Sequence, residues 1–286
     1  MELASVVETV TAISVILLMI SASRDDFRTR EVSDMHWAAI GIIGLTGHLF
    51  TSHLTGNLSF TMAASLLAGA LFLLSVLVES ERISLIAGLL SLTIAIVSLL
   101  IADGNAMATG CSISVLYCCL FVVGFYTGLI RGGADAKCLM AIALAFPVYS
   151  DFGSSLFSDV PAILKTLFPP AVATLFLGSI LSVVGCAVYC TYMNLQNQGL
   201  IRGFYRGYMM PAVMVPISFA WPAENIVGGE RVRCGIPADE DVEEICDRYR
   251  ENGIYEMYVT PMMPFVVPLT AALVFVLVFG NPLFIL

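Results

Sequence analysis

Long apolar runs, broken by short polar stretches, set the pattern of this chain. Eight such runs stand at about 5–23, 36–54, 60–79, 83–102, 109–130, 135–150, 168–193 and 263–286. A membrane-crossing helix needs about 20 mainly apolar residues, and most of the runs meet that length. The sixth is short, at about 16 residues. A single polar stretch, 194–262, separates the seventh run from the eighth. Within it, 239–249 reads as one amphipathic helix, with Val242, Ile245, Cys246 and Tyr249 at helical spacing and acids in the first turn. The stretches 231–234 and 255–259 alternate like short strands. Residues 207–220 are apolar but interrupted by Pro211 and Pro216, and read as an interfacial or re-entrant segment. The expected fold is mainly α. It is a polytopic membrane helix bundle of about eight spans, with a small α+β domain before the last helix. The expected divisions are 1–193 for the bundle, 194–262 for the polar domain and 263–286 for the final membrane helix.

Composition agrees with the pattern. The chain is 58% hydrophobic and 12% charged, against roughly 25% charged in soluble domains. A net charge of -9 and the lack of a basic patch speak against nucleic acid. The eight cysteines form no Cys-x-x-Cys pair, and no metal or cofactor is expected. Glu2 and Glu8 precede any basic residue, which suits a first membrane helix better than a signal peptide. If the N-terminus lies outside, every basic residue except Lys165 falls on the cytoplasmic side, as the positive-inside rule asks.

Two acids then stand out. Asp26 follows the first apolar run. Asp135 lies in Arg131-Gly132-Gly133-Ala134-Asp135-Ala136-Lys137, at the turn into the sixth. The layout puts both at the cytoplasmic face. Two converging carboxylates share a proton. The ionised one activates water against a carbonyl, and the protonated one polarises that carbonyl and protonates the leaving amine. Helix dipoles assign the base to Asp135, near a helix N-terminus, and the proton to Asp26, near a C-terminus. The alternative is an ion- or proton-coupled transporter using the same aspartates as relay groups. The one-sided placement of the acids and the absence of an internal repeat favour the enzyme.

Asp26-Phe27-Arg28-Thr29-Arg30-Glu31-Val32-Ser33-Asp34 with Trp37 resembles the first catalytic motif of the type IV prepilin peptidase family, above all its archaeal preflagellin (archaellin) peptidases. Gly132-Gly133-Ala134-Asp135-Ala136-Lys137 resembles the second motif, Gly-x-Gly-Asp, with Ala134 in place of its second glycine. The segment 259–264 is similar to the archaeal entry into the final helix. The resemblance implies a membrane-embedded aspartic endopeptidase without a cofactor. Its partners would be archaellin or pilin-like precursors with class III signal peptides, and membrane lipids. Asp26 and Asp135 take the catalytic positions. Arg28, Arg30, Gly132, Gly133 and Lys137 belong to the supporting motifs. Glu31 and Asp34 are the acids nearest to meet a basic leader, and Trp37 reads as an interfacial anchor. Archaellin peptidases typically have six spans, so 60–102 reads as an inserted pair.

Overall fold

The computed structural model describes residues 2–101, 104–149, 161–197, 199, 203–233 and 241–285. They form two compact units, Met1–Ser179 with Pro264–Leu286, and Ile180–Met263.

The first unit is helical: α1 Glu2–Thr29, α2 Asp34–Leu54, α3 Phe60–Leu77, α4 Glu81–Ile101, α5 Ala106–Tyr126, α6 Gly133–Ala145, α7 Ala162–Leu167, the start of α8 (Pro170–Asn197), and α10 Val266–Phe279. Short polar residues start these helices by taking up first-turn N–H groups. Ser33 accepts from Met35, Ser59 from Met62, and Asn105 from Met107 and Ala108. Among the described residues, five helices are long and apolar enough to cross a membrane: Leu3–Thr29, Phe60–Leu77, Glu81–Ile101, Ala106–Tyr126 and Pro170–Asn197. The sequence pattern counts eight. The other three runs also form helices, but α2 carries His36, His48 and His53 along its 21 residues. The helices α6 and α10 have only 13 and 14 residues. At 1.5 Å per residue these two extend about 20 Å, against a hydrocarbon core of about 30 Å.

Short α6 is the centre of the packing. Cys138 through Phe146 are all buried, in a cluster with Val15 and Met19 of α1, Ile40 of α2 and Leu269 and Leu273 of α10. Between membrane helices, close backbone approach replaces the hydrophobic drive available in water. Gly44 shows this, because a Cβ there would lie 2.4 Å from Ala145 Cα. Hydroxyls bind the α3–α4 pair to α5. Buried Ser65 Oγ lies 2.9 Å from Ser98 Oγ and 2.8 Å from Ser112 Oγ. Each such bond contributes about 0.6 kcal/mol.

The second unit holds the rest of α8 and a small α+β fold. Strands β1 (Tyr208–Pro211), β2 (Ala220–Pro222) and β5 (Glu256–Pro261) form an antiparallel sheet in the order β1-β5-β2. A 3-10 helix, Ala212–Ile217, links β1 to β2. Strands β3 (Asn225–Val227) and β4 (Glu230–Val232) pair as a hairpin. Its turn, Gly228-Gly229, has φ of 63° and 83°, a geometry that glycine adopts without strain. The helix α9, Val242–Glu251, is capped by Asp241 and buries Ile245, Cys246 and Tyr249. Residues 239 and 240 of the expected helix, and Cys234, lie outside the described residues. Glu224 is buried under the sheet, 2.5 Å from Arg231 Nη2, and accepts 2.7 Å from Tyr258 N. That carboxylate holds the Arg231 guanidinium above its ordinary pKa.

Candidate active site

The site begins with how α1 ends. Arg24 through Thr29 continue the helix beyond the apolar run. Arg30 closes it in a left-handed conformation, φ 58°. Its backbone N donates to Asp26 O at 3.1 Å and its Nη1 to the same oxygen at 2.9 Å. A cation on the last carbonyls also complements the helix dipole. Arg28 and Glu31 are exposed.

Asp26 is 8% exposed. Its Oδ2 accepts a 2.9 Å hydrogen bond from Val266 N, the first residue of α10. Sequence reasoning places Asp26 at a helix C-terminus, and its backbone is there. Its carboxylate, however, meets the N-terminus of another helix, where negative charge is favoured. Asp135 also stands at a helix N-terminus, so helix dipoles alone do not separate the two carboxylates. Two more polar contacts lock α1 to α10. Ser23 Oγ lies 2.7 Å from Thr270 Oγ1, which lies 3.3 Å from Met19 O.

Asp135 stands in the first turn of α6. Gly132, the residue before that helix, caps it without a side chain. A Cβ at Gly132 would fall 2.1 Å from Asp135 Oδ2, so any larger residue would turn the carboxylate out of its present orientation. At Gly133 a Cβ would meet nothing closer than Phe125, at 3.6 Å. The Asp26 and Asp135 carboxylates lie within each other's electrostatic reach, and the buried Cys138 thiol lies within reach of both.

Lys137 Nζ reaches both oxygens of Asp34, at 2.7 and 2.6 Å, which ties the start of α2 to α6. His36 Nε2 lies 3.1 Å from Ser21 Oγ and 3.7 Å from Asp25 Oδ2. Trp37, expected at the interface, is instead 2% exposed. It packs in the bundle core beside Phe72, Leu73 and Val76 of α3, because its place in the first turns of α2 faces inward.

The structure thus gathers Asp26, Arg30, Asp34, Gly132, Asp135 and Lys137 around the ends of α1 and α6. Sequence reasoning misses Val266, whose N–H binds Asp26, and Ser23 and Thr270, which join α1 to α10 beside it. A backbone N–H carries no residue signature, and isolated Ser and Thr in apolar runs are common. Among the described residues, no group of three His, Cys, Asp or Glu side chains is arranged to hold a metal ion. Comparison of the chain with models of known families and with curated proteins finds no match.

Proposed function

We propose that this chain is a membrane-embedded aspartic endopeptidase. It removes short basic leader peptides from archaellin or type IV pilin-like precursors at the cytoplasmic membrane face. The observation that supports this most directly is the pairing of Asp26 and Asp135. One carboxylate comes from the end of α1 and the other from the start of α6, and each feels the other's charge. Gly132, three residues before the second one, leaves room for its carboxylate in the orientation it holds. The proposed layout has about eight spans, with the N-terminus outside and 194–262 in the cytosol.

Asp26 serves as the base in this mechanism. Its Oδ2 is held by the Val266 N–H at a helix N-terminus, and both features favour negative charge there. Asp135 carries the shared proton. Asp26 takes a proton from water as the water attacks the scissile carbonyl. Asp135 donates to the carbonyl oxygen, which gives a gem-diol. As the diol collapses, Asp26 protonates the leaving amine and a diol hydroxyl returns its proton to Asp135, so the dyad regains its single proton. The substrate's apolar segment lies in the bilayer and its basic leader in the cytosol. The scissile bond is then level with the membrane edge, where water is available. Exposed Glu31 is the acid nearest the dyad that meets the leader's basic residues. Asp34 shares its charge with Lys137.

The test is cleavage of an archaellin-type precursor in membranes by the wild type, Asp26→Asn and Asp135→Asn. The wild type trims the leader, and both variants insert and fold but do not cleave. Cleavage by either variant at the wild-type rate removes that aspartate from the mechanism. A wild type that cuts no precursor removes this substrate class.

A further inference from the structure

In the second unit, one segment turns large apolar side chains outward. Val213, Met214, Ile217, Phe219 and Trp221 are all exposed, Ile217 at 77% and Trp221 at 49%. The alternate positions Ala212, Val215, Ala220 and Pro222 are buried. The segment therefore has a proper inner face, and its outer face is apolar by composition rather than by misfolding. Soluble surfaces rarely carry such a run.

The position of this face identifies what covers it. Trp221 pairs with Thr260 and Ala220 with Pro261, at the end of β5. Met262 N then donates to Phe219 O at 2.9 Å. Only three residues separate Met262 from Val266, where apolar α10 begins. A chain of that length spans about 14 Å at most. The other end of the unit is also tied to the membrane. Its first residues, from Ile180, are the second half of α8, a helix long and apolar enough to cross. Along that half Val183, Val184, Val188, Tyr192 and Leu195 are exposed, a surface that suits lipid. Tryptophan, moreover, is the side chain that favours the headgroup level.

We propose that the outer side of residues 213–221 is inserted into the bilayer surface as a wedge. Its partner is lipid, and it holds the β5–α10 junction at the headgroup level. The proposal rests on the membrane reading of α8 and not on the peptidase reading. Segments of this kind sink about 5–10 Å into the headgroup and acyl boundary.

The chain's two tryptophans make the test direct, because Trp37 is 2% exposed and Trp221 is not. The full chain is placed in phosphatidylcholine vesicles, with and without brominated acyl chains. Fluorescence of the wild type minus that of Trp221→Phe isolates Trp221. The expected difference spectrum is blue-shifted, quenched by brominated lipid and protected from aqueous acrylamide. A red-shifted emission, quenched by acrylamide and indifferent to bromine, overturns the proposal. Emission shielded from both quenchers also overturns it, since a protein surface is then the occupant. Loss of precursor cleavage has no bearing on any of these readouts.

Discussion

Lys137 reaches across 103 residues of sequence to close on both oxygens of Asp34. Both side chains remain partly solvent-exposed, and exposed pairs contribute about 0–1 kcal/mol. The pair's consequence is therefore positional: it joins the N-terminus of α2 to the helix that carries Asp135. Asp34→Asn and Lys137→Met are expected to leave the melting temperature almost unchanged and to slow cleavage several-fold. The exchanged pair, Asp34→Lys with Lys137→Asp, is expected to recover much of the rate. Full activity in Asp34→Asn argues that α2 needs no such tie.

The two glycines of the second motif separate cleanly. Gly132→Ala forces a methyl group onto Asp135 Oδ2, where the gap is 2.1 Å. Displacing a reacting group by about 1 Å costs on the order of 100-fold in rate. Gly133→Ala meets only ordinary contact with Phe125, and gains helix propensity at the start of α6. The expected result is loss of cleavage in the first variant and near-wild-type cleavage in the second, measured on membranes holding equal amounts of protein. Equal activities would show that Asp135 works from another position.

Thr270 tests the support beneath Asp26. Thr270→Val keeps the shape but removes the 2.7 Å contact with Ser23. A lost hydrogen bond of this kind costs about 1 kcal/mol. With α10 less firmly held, its first N–H serves Asp26 less well, and turnover is expected to fall with KM little changed. The wild-type rate should be bell-shaped in pH, since one carboxylate must be ionised and the other protonated. In Thr270→Val the acidic limb is expected to move to higher pH, as the base loses its stabilising N–H. An unmoved limb would mean that α10 does not tune the dyad.

In the small α+β unit, Arg231 offsets the buried carboxylate of Glu224. Arg231→Met leaves that charge without its guanidinium counter-ion, while the Tyr258 N–H still donates to it. The expected loss is about 2 kcal/mol, at the low end for a severed ion pair because the Arg231 side chain is partly exposed. Faster proteolysis within 203–263 is the readout. Glu224→Gln should cost less, because a neutral amide needs no counter-charge.

Local order was legible in the sequence wherever one element decides it. The apolar runs gave every long helix, and the spacing of Ile245, Cys246 and Tyr249 gave the buried face of α9. Gly132 beside Asp135 was legible too, as three residues of one turn. What failed depended on partners far along the chain. Trp37 reads as an anchor until α3 covers it. Asp26 reads as the end of a helix until α10 arrives, 240 residues later, to meet its carboxylate. Crossing capacity was legible for five helices and not for α2, α6 and α10, because length and composition stop deciding once a helix is short or interrupted by histidines.

The Val266 N–H also sets an order of events during synthesis. Asp26 and Asp135 leave the ribosome well over 100 residues before Val266, yet the donor that orients Asp26 is the first N–H of α10. A nascent chain halted before residue 266 holds both acids and cannot hold them in working order. On the proposed peptidase reading, competence to cut a neighbouring protein arrives only once α10 has been made, so a copy halted earlier is harmless to the membrane into which it is being threaded.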